Sequence, residues 1–392
     1  MPVSFDQNSN CGFKCLYCFS QFQRAIGTRS KDYQSMRVAA VSLPRFTGLF
    51  TEPGNHQGFG PYFRSKLVLQ WGGLGDPFCP LERRFGVGLE ILRFLHDLEY
   101  PVCFSTKGTW WLKDQRYVDL FRDSTFWNVK FSIITGDAAK ARAVEHGCPP
   151  PAKRLRAIER FAKLGAGGAT LRLRPFILGI SDPSYVQLIR DAASAGATAV
   201  STEFFCMEER TPSARVKYHE MSKVAGFDLV AFYRRYSVNR GYMRLNRNVK
   251  RDIINRMDET CREAGIRFYV SDAHFKERCA NGSCCGLGPE WNYSRGQFAE
   301  ALMIARDKGS VRWSDIEASA AHLAHGSCTA LNMPSHAKTA QFGGRTLLEY
   351  LHFLWNSTNS AKSPYMYFEG VMVPSGIDER GDVIYSYDPA RS

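Results

Sequence analysis

Between residues 66 and 205 the chain alternates short apolar runs with longer amphipathic stretches, a pattern that few folds accommodate. The runs KLVLQWGG (66–73), PVCFSTKG (101–108), WNVKFSIIT (127–135), ATLRLRPFI (169–177) and TAVSTEFF (198–205) read as buried strands. The intervening stretches read as helices. GVGLEILRFLHDL (86–98) spaces Leu89, Leu92, Leu95 and Leu98 on one face, and PAKRLRAIERFAKLG (151–165) has proline in its first turn and glycine at its stop. Further helices are predicted near 112–123 and over 183–195. A short strand in PVSFDQ precedes the series, and a helix at 247–263 and the strand IRFYVSD (266–272) extend it. Strands alternating with helices make βαβ units and a parallel sheet. The predicted fold is α/β: a partial or complete (β/α) barrel over residues 1–275, with its chemistry at the C-terminal strand ends. Residues 20–64 show little periodicity and read as loop and short helix around a site.

Residues 276–392 are expected to form a smaller α+β extension. It begins with a cysteine-containing loop and continues through the helices SDIEASAAHL and TLLEYLHFLWN to a hairpin around DERGD. Ser314 and Glu317 are spaced as a capping box for the first of these helices.

No apolar run approaches the ~18 residues that span a bilayer. The first thirty residues hold Asp6 and cysteines rather than a basic stretch and an apolar core, so no signal peptide is expected. A reducing cytoplasm is the expected location, without membrane partners. In that setting the twelve cysteines point to metal, catalysis or burial rather than disulfides. The scattered ones, Cys103, Cys148, Cys206 and Cys261, are expected to be buried small hydrophobes. The formal net charge of +13 fits simple solubility or a polyanionic partner.

Against that background NCGFKCLYCFS, which sets Cys11, Cys15 and Cys18 within eight residues, needs its own explanation. Thiolates bind zinc or iron–sulfur clusters. A structural zinc site wants a fourth ligand, and the first histidine is His56. Three protein ligands leave one metal position open, as a catalytic centre requires.

The spacing Cys-x3-Cys-x2-Cys, with Tyr17 before the third cysteine, resembles the signature of the radical S-adenosylmethionine (SAM) superfamily. That resemblance implies a 4Fe–4S cluster on Cys11, Cys15 and Cys18 and SAM bound at its free iron. Reductive cleavage of SAM would then give a 5′-deoxyadenosyl radical that abstracts hydrogen from a substrate. WGGLGDP is similar to the superfamily's Gly-Gly-Glu loop, which receives the SAM amino group. Gly72, Gly73 and Asp76 would take that role here, with aspartate in place of glutamate. The longer phrase GGLGDPFCPLERR…LRFLHDLEYPVCFSTKG resembles the spore photoproduct lyase-like subgroup. By that resemblance Lys107 and Ser132 would contact the SAM carboxylate and Tyr17 would lie near the adenine. It covers roughly residues 5–205.

Other features carry open alternatives. Cys279, Cys284 and Cys285 could ligate an auxiliary cluster, donate hydrogen from a thiol, or be structural, with His274 as an extra ligand. Arg172 and Arg174 alternate in one strand, so they either face inward together, needing an anion such as the SAM carboxylate or a substrate phosphate, or face out. FYRRYSVNRGYMRLNRNVKR (232–251) holds seven basic residues and no acid. Arg234, Arg235, Tyr236, Arg240, Tyr242 and Arg244 are its candidate nucleic-acid contacts, through phosphate attraction and base stacking. A basic surface helix with its tyrosines packed on the core is the alternative.

The expected activity is radical SAM chemistry on nucleic acid, most simply modification or repair of a pyrimidine in DNA, fed by an electron donor such as flavodoxin or ferredoxin. The reaction class beyond SAM cleavage, whether lyase, isomerase or transferase, stays open. The alternative enzyme modifies a peptide or protein, and the alternative non-enzyme binds nucleic acid around a structural metal.

Overall fold

The computed structural model describes residues 3–8, 10–20, 41–55, 60–208, 212–238, 242–283, 285–293, 298–326 and 343–391. The apolar runs form strands in chain order: β1 (Ser4–Phe5), β2 (Leu69–Trp71), β3 (Val102–Thr106), β4 (Trp127–Ser132), β5 (Ala169–Phe176) and β6 (Ala199–Phe204). A two-residue antiparallel ribbon follows, β7 (Met207–Glu208) with β8 (Tyr242–Met243), and then β9 (Arg267–Val270). β1 to β6 and β9 make one seven-stranded sheet in sequential order, with β1 and β9 at its edges. Every pairing in it is parallel. This is an open, partial barrel.

All six residues of β4 are buried, because helices cover one face of the sheet and the barrel interior covers the other. Trp127, Val129 and Phe131 pack outward with Phe121 and Phe161 of the helices Gln115–Arg122 and Pro151–Ala162. The alternate residues Asn128, Lys130 and Ser132 face in, by the two-residue period of a strand. Lys130 Nζ reaches Gln70 Oε1 on β2 at 2.5 Å, and Gln70 Nε2 donates to Ser105 Oγ on β3 at 3.2 Å. A polar layer therefore crosses the barrel below its mouth.

The base of the barrel is closed by residues 279–293, of which Cys284 lies outside the described residues. Ala280 N donates to Phe268 O beside edge strand β9, and Val68 N beside β2 takes Asn292 O at 2.8 Å. Between these ends Gly286, at φ +78°, lies so close to β5 that a Cβ there would stand 2.5 Å from Thr170 Oγ1. Only glycine fits that crossing.

The C-terminal residues build a second apolar cluster around Trp313, Trp355, Phe368 and Tyr385. β10 (Ser310–Val311), β11 (Met372–Ile377) and β12 (Val383–Tyr387) form an antiparallel sheet there, ordered β10-β12-β11. β11 and β12 are the hairpin expected at DERGD. The Ser314/Glu317 capping box does not form. Trp313–Asp315 is a tight turn whose Asp315 carboxylate accepts from Arg312 N, and Glu317 pairs instead with Arg380 at 2.8 Å. The capping box lies one helix later: Thr346 and Glu349 bond reciprocally at the start of Leu347–Asn356.

Candidate active site

The cysteine loop is stitched to residues 144–148. Cys15 bridges Glu145, Leu16 N donates to Val144 O at 2.9 Å, and Gly147 N to Phe13 O at 3.2 Å. A buried ion pair between Arg154 and Glu145 backs this seam, each side chain about 1% exposed. Glu145 also accepts from Tyr17 Oη, and Arg154 Nη1 donates to Ser132 O at 2.7 Å.

The glycine loop after β2 is held from both sides. Gly72 adopts φ +91°, and a Cβ there would meet Ser105 O at 2.6 Å. Asp6, just after β1, accepts from Leu74 N at 3.0 Å and Gly75 N at 2.7 Å. Asp76 accepts from Thr106 Oγ1 at 2.7 Å, Phe78 N at 2.9 Å and Lys107 N at 2.5 Å. Burial raises the Asp76 pKa, and those hydrogen bonds oppose the shift.

These elements surround one cavity of about 290 Å³ at the C-terminal ends of the strands. Cys11, Cys15, Cys18, Tyr17, Gly72, Gly73, Asp76, Lys107, Ser132 and Arg174 all line it. The structure thus brings together the cysteine motif, the glycine loop and the strand-end residues named from the sequence. Arg172 and Arg174 both face inward. Arg174 is already paired with Glu203 and reaches Ser271 Oγ at 3.1 Å. The Arg172 side chain has no hydrogen bond or ion pair to any described residue, and burial together with Arg174 pushes its pKa down to about 10. Lys107 Nζ lies 5.5 Å from the centre of the Tyr17 ring. Burial alone would lower the Lys107 pKa, but Cys15, Glu145 and Cys148 hold it above its ordinary value.

Two further cysteines join the loop. Cys79 lies in side-chain contact with Cys11, and Cys148 Sγ is 3.6 Å from Cys15 Sγ. Cys18 Sγ lies 2.7 Å from Ser20 Oγ. The reading of Cys148 as an inert hydrophobe is thereby corrected: its thiol belongs to the site. The same holds for Cys206, which lines the cavity with its pKa pushed up to about 11, chiefly by burial. Cys103 and Cys261 are buried as expected. Sequence reasoning missed Asp6, Glu145 and Arg154, whose roles arise only from contacts between distant segments. Cys79 and Cys148 each precede a proline, the one local mark they share.

This donor set fits a polynuclear cluster better than a single ion. Each thiolate of a 4Fe–4S cluster sits on a different iron, so the three sulfurs surround it without converging on one point. Among the described residues, the ligand atoms close enough to share one ion belong to Cys15, Glu145 and Cys148, not to the three loop cysteines. Lys107 and unpaired Arg172 supply positive charge in the same cavity.

The second cysteine group is dispersed. Cys279 Sγ lies 3.2 Å from Val270 N and 3.3 Å from Val270 O, against edge strand β9. Cys285 sits in the base segment, packed with Val68, Cys103 and Leu287. Neither is among the residues lining the cavity. Cys284 and the His274 side chain lie outside the described residues.

The basic stretch divides in the same way. Tyr242 lines the cavity mouth and is 40% exposed, with the Arg244 guanidinium 5.7 Å from its ring centre. Arg234 and Arg235 are exposed and Tyr236 is half-buried on the helix Leu229–Tyr236. Arg247 and Lys250 turn into the core, pairing with Glu277 at 2.7 Å and Asp272 at 2.6 Å. Tyr233 is buried and donates to Phe205 O at 2.7 Å. The segment is therefore not one continuous basic face. Arg240 lies outside the described residues.

No established family description matches the chain, and no curated protein matches it in sequence. Solved structures do. Spore photoproduct lyase complexed with dinucleoside spore photoproduct is 16% identical at a TM-score of 0.49, over 67% of this chain and 74% of that one. Streptococcus suis SuiB bound to S-adenosylmethionine is 14% identical at a TM-score of 0.43, over 69% and 50%. SuiB bound to its precursor peptide SuiA is 15% identical at 0.43, over 69% and 48%.

Proposed function

We propose that this chain is a radical SAM enzyme acting on a base in nucleic acid. The observation that carries the first half is the cavity itself, in whose wall three motif cysteines, a glycine loop and two strand-end cations meet. Cys11, Cys15 and Cys18 would hold a 4Fe–4S cluster, which when bound supplies the electron that cleaves SAM. The chain's own groups position the substrate of that cleavage. The backbone of Gly72 and Gly73 borders the cavity and offers carbonyl acceptors to an ammonium group. Asp76 shapes that loop, because its oxygens are occupied by Thr106 and by backbone donors. Lys107 and Arg172 supply positive charge for a carboxylate.

The nucleic-acid half rests on Tyr242 and Arg244 at the mouth, on exposed Arg234 and Arg235, and on the net charge of +13. An aromatic face beside a cation suits an unstacked base and its phosphate. A base inside a duplex could not reach the cavity, so the target is single-stranded or flipped out. A peptide or protein substrate is the second reading. It is favoured by the withdrawal of Arg247 and Lys250 into buried ion pairs, which removes two cations from the basic stretch.

Anaerobic turnover with deuterated oligonucleotides and deuterated peptides decides between them. Deuterium is expected in 5′-deoxyadenosine only with the nucleic acid. Transfer from the peptide alone would establish the second reading, and absence of 5′-deoxyadenosine with every substrate would remove both.

A further inference from the structure

The cysteine loop offers a second way of holding metal, distinct from a cluster on Cys11, Cys15 and Cys18. Cys15 Sγ, Cys148 Sγ and a Glu145 carboxylate oxygen lie within 4.8 Å of one another. The two sulfurs are 3.6 Å apart. Two thiolates on one tetrahedral ion, with bonds of ~2.3 Å, stand about 3.8 Å apart. The observed spacing therefore needs almost no adjustment to take an ion between them.

The surroundings also suit a cation. Glu145 is fixed by Arg154 and Tyr17, so its oxygens are already oriented before any metal arrives. A carboxylate oxygen has lone pairs enough to accept those bonds and still ligate. Cys15 lines the cavity, which gives an ion a path from solvent to that sulfur. Cys148 follows Gly147, whose N–H donates to Phe13 O, so the backbone seam fixes the approach of one sulfur to the other.

We propose that, in the chain without a cluster, Cys15, Cys148 and Glu145 form a mononuclear site for a thiophilic divalent ion, Fe²⁺ or Zn²⁺. Two thiolates and one carboxylate match the ligand preference of both ions. Binding displaces one proton from each of the two thiols to solvent and forms two metal–sulfur bonds and one metal–oxygen bond, with no change of oxidation state. Because Cys15 belongs to both arrangements, the mononuclear ion and a cluster on the three loop cysteines exclude each other. Iron held here is already bonded to one of the three cluster ligands, whereas zinc held here would block assembly. The exclusion rests on the proposed cluster; the mononuclear site does not.

The test begins with anaerobic, cluster-free protein and Co²⁺ as a spectroscopic probe, followed by displacement with Zn²⁺. One equivalent is expected to bind with a thiolate-to-cobalt charge-transfer band. Cys148→Ser should weaken that affinity at least tenfold, and Cys11→Ser should leave the band in place. A band lost in Cys11→Ser and kept in Cys148→Ser would overturn the proposal. Alkylation mapping of the wild-type chain gives an answer that does not depend on a variant's folding. Zn²⁺ should protect Cys15 and Cys148 together and leave Cys11 reactive, whereas joint protection of Cys11, Cys15 and Cys18 without Cys148 would refute the site. Cluster reconstitution of Cys148→Ser, read by iron content and electron paramagnetic resonance, tests the radical SAM reading separately.

Discussion

Arg154 and Glu145 form an ion pair sealed from solvent directly beneath the cysteine loop, and Tyr17 of that loop shares the carboxylate. Removing one partner strands the other as a buried charge, which costs about 3–5 kcal/mol. Glu145→Gln and Arg154→Met are each expected to lower stability by that amount in urea unfolding. The double variant should recover much of the loss, because neither charge is then left alone. Double-variant stability equal to the sum of the single losses would contradict this coupling.

Cys11→Ala/Cys15→Ala/Cys18→Ala should abolish cluster binding and 5′-deoxyadenosine release from SAM under dithionite. The folded barrel should persist, since these thiols lie in the cavity wall rather than in the strands. Cleavage that survives the triple substitution would remove the assignment.

Iron content separates the two cysteine groups. Reconstituted protein is expected to hold about four irons per chain, the content of one 4Fe–4S cluster. Cys279→Ala should leave that value unchanged, since the thiol is engaged with the Val270 backbone. A wild-type content near eight that falls near four in the variant would show an auxiliary cluster instead.

Arg172 gives a stability prediction with a definite pH sign. Its folded pKa is lowered to about 10 by burial and by Arg174, so folding disfavours the charged form. The resulting destabilisation is fully present at neutral pH and fades as pH rises through about 10 towards the unfolded value. Arg172→Met should therefore stabilise the ligand-free protein at pH 7, by about 1–3 kcal/mol. The same change should weaken SAM binding, measured by calorimetry. A destabilised variant that binds SAM normally would contradict both statements.

Nucleic-acid binding can be read from its salt dependence. Arg234→Ala/Arg235→Ala and Arg244→Ala should each weaken binding to single-stranded oligomers and lower the salt slope by about 0.7–0.9 per charge removed that contacts a phosphate. Tyr242→Ala should cost affinity, about 1–3 kcal/mol, without changing the slope. Wild-type binding no tighter than that of a control protein of equal charge would shift the substrate to peptide.

The strand order could be read from the chain because each strand is a short apolar run between turn residues, and sequential parallel pairing followed. The glycine loop was legible for the same local reason. What escaped were relations between segments far apart. Glu145 is an ordinary acid until folding sets it 128 residues away against Tyr17. Arg247 and Lys250 read as surface cations because their partners lie 30 and 22 residues downstream. The Ser314/Glu317 spacing had the right letters, but Trp313 is buried and Arg380 claims the glutamate, so packing overrode the local signal.

The segment from Cys279 to Tyr293 closes the barrel base, and that has a kinetic consequence. A well with one opening fills from the bottom and empties from the top. With the glycine loop and cysteines in the wall and Tyr242 at the exposed lip, a molecule seated on the former would enter before one held at the latter and leave after it. Steady-state kinetics with two such molecules would be compulsory-order, and excess of the outer molecule would trap the inner one in place.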